Sequence, residues 1–144
     1  MTCTFFGHRN VPKETEPTLR STLVDLIENR GVTQFYVGNQ GGFDSMVRRV
    51  LTELSGKYPI VYSVVLAYMP TKKDEYADGD FSDTILPDGI ETVPKRFAIS
   101  YRNKWMIRKS DYVVTYVTNP IGSGAAQFKE MAEKMGKTVV NLGG

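Results

Sequence analysis

Short apolar runs alternate with stretches whose apolar residues recur at helical spacing. This alternation restricts the fold more than any other feature of the chain. Residues 2–6 (TCTFF) read as a buried strand ending at Gly7. Leu19, Leu23, Leu26 and Ile27 mark a helix from Pro17 to Arg30, with Pro17 suited to a first turn and Gly31 to a stop. Residues 34–38 read as a second strand, and Met46, Val47, Val50, Leu51 and Leu54 as a second helix ending near Gly56. Residues 60–68 read as a third strand, apolar enough to be buried on both faces. After Pro94 a third helix carries Phe97, Tyr101 and Trp105 at four-residue spacing, a stripe expected to face the core. Residues 112–117 predict a fourth strand. A fourth helix follows from Gly124, with Ala125, Phe128, Ala132 and Met135 on one face, and 138–142 a fifth strand. Strands that alternate with helices predict a parallel sheet covered on both faces. With right-handed crossovers this is an α/β, Rossmann-like, doubly wound sheet of about five strands. The 144 residues suit a single domain, 1–144.

One stretch breaks the rhythm. Residues 70–94 hold Asp74, Glu75, Asp78, Asp80, Asp83, Asp88 and Glu91, seven of the 16 acidic residues. They read as a solvated loop or as a lid over a site. Composition otherwise excludes more than it suggests. One cysteine, Cys3, and one histidine, His8, leave no internal disulfide, no Cys-rich zinc site and no His pair. A net charge of +2 makes no case for a dedicated nucleic-acid binder. The N-terminus does not read as a signal peptide and no apolar run is long enough to span a bilayer, so a cytoplasmic protein with no membrane partner is expected.

Ligands of such sheets bind beyond the carboxyl ends of the strands. Three strand ends are polar and glycine-rich: Gly7-His8-Arg9-Asn10, Gly38-Asn39-Gln40-Gly41-Gly42-Phe43-Asp44, and Thr118-Asn119-Pro120-Ile121-Gly122-Ser123-Gly124. Six of the 13 glycines lie there. Short turns need glycine anyway, but three such loops on one edge point to a ligand site. Gly41, Gly42, Ser123 and Gly124 are expected to present N–H groups to phosphate. Arg9 is read either as a phosphate partner or as a surface residue, and His8 as a group that pins its loop. Ser123 serves equally as a helix cap. Arg102 and Asn103 lie on the third helix, with Arg102 expected at the edge of the aromatic stripe. Asn39 and Asp44 are candidates for ribose or base. No G-x-G-x-x-G and no P-loop pattern is present, so no cofactor is expected and no metal.

These residues resemble the SLOG superfamily, in its small, single-domain, YpsA-like branch. The resemblance rests on T-C-T-F-F-G-H-R (2–9), V-G-N-Q-G-G-F-D (37–44), R-N-K-W-M-I-R-K-S-D (102–111) and G-S-G-A-A (122–126). It implies a Rossmann-like domain that binds or senses a nucleotide-derived ligand bearing phosphate and ribose, such as ADP-ribose, and that forms a homodimer. The superfamily also holds the LONELY GUY phosphoribohydrolases, which cleave the N-glycosidic bond of nucleoside monophosphates. Their R-K-x-x-M is similar here, with Arg102 and Met106 in place and Asn103 for Lys. Their P-G-G-x-G-T-x-x-E is matched at Pro120, Gly122 and Gly124. It departs at Ile121, Ala125 and, at the catalytic Glu, Phe128. Glu130 lies about 200° further round the helix. The resemblance thus implies a binder rather than an enzyme. A hydrolase would have to use Arg102 with Asp44 or an acid of the 70–94 segment. A third reading, as a single-stranded nucleic-acid or interaction protein, follows from a DNA-processing branch of the superfamily.

Overall fold

The computed structural model describes residues 1–68, 84–119 and 123–143. The described elements are β1 (Thr2–Gly7), α1 (Thr15–Arg30), β2 (Gln34–Val37), α2 (Gly41–Ser55), β3 (Val61–Val65), β4 (Thr84–Ile85), α3 (Lys95–Lys109), β5 (Tyr112–Tyr116), α4 (Gly124–Lys134) and β6 (Thr138–Asn141). The six strands form one parallel sheet in the order β4-β3-β2-β1-β5-β6. The chain runs outward from β1 to β4, then returns to the other side of β1. The strand order therefore reverses between β1 and β5, the place where open α/β sheets leave a crevice.

Alternation along β1 assigns the two faces. Cys3 and Phe5 join Leu19, Leu23 and Leu26 of α1 and Phe43, Val47 and Leu51 of α2 in one apolar cluster. Phe6 points the other way, into a smaller cluster with Met106 and Ile107 of α3 and Ala132 of α4. Burial of Cys3 pushes its thiol up, so this residue is packing rather than a nucleophile. Gly31 ends α1 in the left-handed region at φ 72°, and Gly136 follows α4 at φ 77°. Arg20 clamps α1 to α2, bonding Glu53 at 2.8 Å and Glu16 at 3.3 Å. Among the described residues no helix is long and apolar enough to cross a membrane.

Four expectations are corrected. The 70–94 stretch is not all loop: Thr84 and Ile85 pair with Val64 and Val65 as a sixth strand, and Ile90 is buried. Residues 69–83, with any lid they form, lie outside the described residues. The third strand is shorter than 60–68 and is not buried throughout. β4 covers only its last two residues, so Val61 is 66% exposed. Met135, expected on the packed face of the fourth helix, is exposed. The aromatic stripe of α3 does not face the core. Phe97 is 52% exposed, while Ala98, Arg102, Asn103, Met106 and Ile107 are buried. Tyr101 and Trp105 pack sideways instead. The Tyr101 hydroxyl donates to the Asp88 carbonyl at 2.7 Å, and Trp105 lies against Tyr36 with ring centroids 5.1 Å apart.

Candidate functional site

The crevice opens where β1 ends. A Cβ at Gly7 would sit 2.3 Å from the ring of fully buried Phe43, so only glycine fits there. Beyond Gly7 the chain crosses toward β5. The His8 N–H donates to the Tyr116 carbonyl at 3.1 Å. His8 Nε2 then accepts from the Thr118 N–H at 2.9 Å and the Asn119 N–H at 3.5 Å. His8 therefore ties the loop after β5 to the loop after β1.

Two hollows share this edge. An inner chamber of about 180 Å³ is lined by Gly7, Asp44, Arg102, Asn103 and Gly124, with Phe6 and Phe128 among its walls. A mouth of about 250 Å³ is lined by Gly7, His8, Arg9, Gln40, Ser123 and Gly124. At about 30 Å³ per water the chamber holds roughly six, which suits one ring and not a whole nucleotide. A larger hollow of about 930 Å³ lies along α2 and the outer strands, reaching Tyr62 and Val64 of β3 and Thr84 of β4. Its Arg20 and Arg49 already pair with its own Glu16 and Glu53. The smaller crevice, where Arg102 is bonded only to neutral oxygens, is the candidate site.

Arg102 is the centre of the chamber. It is 3% exposed, and its Nε donates to Asn103 Oδ1 at 3.1 Å. Its Nη1 donates to Asn39 Oδ1 at 2.9 Å and to the Val65 carbonyl at 3.4 Å. All three acceptors are neutral, and among the described residues none accepts from Nη2. Burial pulls its pKa below the ordinary guanidinium value, with Asp44 and Tyr68 acting against that. It still carries its proton at any physiological pH.

Asp44 meets Arg102 at Gly38. A Cβ there would meet Asp44 Oδ2 at 2.8 Å and Arg102 Nη1 at 3.3 Å, so glycine lets the two groups face one strand end. Asp44 is 7% exposed, and its Oδ2 accepts the Gln40 N–H at 3.0 Å, reaching back over the first turn of α2. Burial pushes this carboxyl up to about 6, against the Gln40 bond and the Arg102 and Arg48 charges. Among the described residues lining the chamber it is the one carboxylate.

Several expected donors are already committed. The Gly42 N–H donates to the Arg9 carbonyl at 2.7 Å, and neither Gly41 nor Gly42 lines the chamber or the mouth. These glycines let α2 approach the Arg9 backbone, and the Gly42 N–H is spent on that contact. Asn39 holds Arg102 and so is positioned behind the site. Arg102 itself points inward rather than lying at the edge of an aromatic stripe. Ser123 is the cap of α4: its Oγ accepts the Ala126 N–H at 3.0 Å, and its carbonyl accepts from Gln127 at 3.2 Å. That leaves Gly124 and Ala125 as first-turn donors beside the crevice. Ser123→Ala is expected to cost about 1 kcal/mol, read as a lower urea midpoint, with Ser123→Asp restoring it; an unchanged midpoint contradicts the cap. Gly122, with Pro120 and Ile121, lies outside the described residues.

Phe128 stacks on Phe6 with ring centroids 5.5 Å apart, so an aromatic wall stands where a catalytic carboxylate was sought. Glu130 faces outward and pairs with Lys134 at 3.0 Å. Gln40, from the second glycine-rich strand end, also lines the chamber, as do Phe6 and Ile99, which lie outside those strand ends. Phe6 was available from the alternation of β1, since Phe5 faces the opposite cluster. Among the described residues no group of three or more His, Cys, Asp and Glu is placed to hold a metal ion. No protein-family model matches the chain, and no curated protein matches it.

Proposed function

We propose that this chain binds a nucleotide-derived ligand, bearing phosphate and ribose, in the crevice between β1 and β5, and that it acts as a sensor of that ligand. The observation that carries this reading is Arg102, a buried cation held by neutral oxygens with Nη2 unengaged among the described residues. A buried charge is costly unless paired; Asp44 faces Arg102 across Gly38 without bonding it, and an anion bonded directly to the guanidinium is the contact it lacks among the described residues. The α4 N-terminus and Arg9 supply further attraction at the mouth. The aromatic wall of Phe6 and Phe128 suits a base or sugar ring. Membership of the SLOG superfamily and a homodimer belong to the same proposal. Exposed Phe97 on α3 is apolar surface such a dimer would use.

Calorimetric titration with AMP, ADP-ribose and cyclic nucleotides tests the reading. At least one is expected to bind. Arg9→Ala should weaken it about tenfold, the worth of one charge-assisted contact. Arg102→Lys, which keeps the charge and loses the fork, should weaken it by more. Circular dichroism checks that both variants fold. Absence of binding across the panel, or equal binding by all three proteins, overturns the proposal.

One observation favours a second reading, as an N-glycosidic hydrolase. Asp44 is a buried carboxyl with a raised pKa opposite a cation, the setting of a general acid or base. Phe128 at the chamber wall counts against it. Release of free adenine from AMP by the wild type, lost in Asp44→Asn, would favour turnover over sensing.

A further inference from the structure

We propose that Asp44 sets the charge of the ligand this crevice accepts: the anion enters together with a proton, which settles on the Asp44 carboxyl. This inference rests on the reading of the crevice as an anion site. Among the described residues the chamber holds one carboxyl and one guanidinium, which face each other across the space a Cβ of Gly38 would fill. With both ionised their charges cancel, and an entering anion meets no net attraction there. Arg102 offers no second way to expose its charge, because Asn39, Asn103 and the Val65 carbonyl are already neutral. Protonation of Asp44 is therefore the event that leaves the chamber net positive.

The other groups facing this pair can be named. On α2, Arg48 acts on Asp44, and in the chain just after β3, Tyr68 acts on Arg102. At the mouth stand His8 and Arg9, and the described lining residues from the start of α4, Ser123, Gly124 and Ala125, bring no acid. The proton comes from solvent. Asp44 Oδ2 is held by the Gln40 N–H, so Oδ1 is the oxygen left to carry it. No bond of the ligand is made or broken. Burial supports the same direction, since it favours the neutral carboxyl.

The test measures binding of ADP-ribose and of 3′,5′-cyclic AMP between pH 5 and pH 8. Neither probe has a phosphate proton titrating in that range, whereas a phosphomonoester does near pH 6. In the wild type, affinity should fall about tenfold per pH unit toward pH 8, the slope of one linked proton. Heats measured in buffers of different ionisation enthalpy should report uptake of one proton per ligand. Asp44→Asn keeps an oxygen for the Gln40 N–H and cannot ionise. It should bind tightly at every pH, with no slope. His8→Gln should retain the wild-type slope, which separates the mouth histidine from Asp44. A flat wild-type profile, or a slope that survives in Asp44→Asn, overturns this proposal while leaving the anion site standing. Failure of both proteins to bind either probe at any pH overturns the site as well.

Discussion

Asp44→Asn is expected to raise the free energy of unfolding by about 3 kcal/mol at pH 7.5 and by less than about 1 kcal/mol at pH 4. The carboxyl is buried, and its pKa rises from 3.8 to about 6 on folding. Each unit is worth about 1.4 kcal/mol between the two protonation states. A raised folded value means that the native state binds the proton more tightly than the unfolded chain. Its contribution is present in full below the unfolded pKa and is lost as pH rises through about 6. Wild-type stability should therefore decline from pH 4 toward pH 7, and the neutral amide should remove that decline. Glu16 and Glu53 move the other way. Arg49 and Arg20 hold their carboxyls below the ordinary value, so their contribution is lost as pH falls. Both are present in wild type and variant alike and cancel in the difference. Urea unfolding of the two proteins across this range gives the comparison. A difference that does not change with pH, or no difference, would contradict the burial argument. A destabilising carboxyl of this kind is what a functional group retained at a cost in stability would look like.

The layers of the fold were legible because each rests on a periodic pattern. Short apolar runs and period-3.6 stretches mark nine of the ten strands and α-helices, and the doubly wound order follows from their alternation. β4 was not legible. Two residues, Thr84 and Ile85, carry no period, and they sit inside an acidic stretch whose composition reads as solvent-facing. α3 misled for a related reason. Its apolar residues fall on more than one side, and spacing alone cannot tell an inward aromatic stripe from a lateral one. The deciding interactions lie outside the helix: the Asp88 carbonyl takes the Tyr101 hydroxyl, and Tyr36 takes Trp105. With those rings spent at the side, the face left for the sheet is the one carrying Arg102 and Asn103.

The site was legible as a location and less so as a set of roles. Strand-end chemistry brought Gly7, His8, Arg9, Ser123 and Gly124 to one mouth, and Asp44, Arg102 and Asn103 to one chamber. Roles depend on which donor meets which acceptor, and that is three-dimensional. Gly41 and Gly42 look like a phosphate loop in the chain, but the Gly42 N–H is spent on Arg9. Asn39 looks like a base contact, but its oxygen holds a guanidinium 63 residues away in sequence. Phe128 could be read as the loss of a carboxylate. That it also supplies an aromatic wall needed the position of Phe6.

The same geometry makes Gly42→Ala expected to destabilise the fold by about 3 kcal/mol, against a helix preference of about 1 kcal/mol for alanine over glycine. Gly42 lies in the first turn of α2, where propensity alone favours the substitution. Space decides otherwise. An added Cβ would stand 2.4 Å from the Arg9 carbonyl oxygen, a backbone atom with no rotamer to yield. The Gly42 N–H bonds that same oxygen at 2.7 Å, so relieving the clash means losing the bond. Gly41 beside it sits at φ 87°, with Arg9 Cα 3.0 Å from its own virtual Cβ, and the turn has no second path around Arg9. Movement here also shifts Arg9 at the mouth, so the variant should bind the anion more weakly as well as unfold earlier. Gly124→Ala is the matched control. It too starts a helix, among the described residues nothing lies within 4 Å of its virtual Cβ, and its φ is not positive. It should be neutral or stabilising by up to about 1 kcal/mol. Urea midpoints measured side by side decide the matter: a Gly42→Ala protein as stable as Gly124→Ala would mean that the Arg9 turn yields, and that the loop after β1 does not fix the crevice.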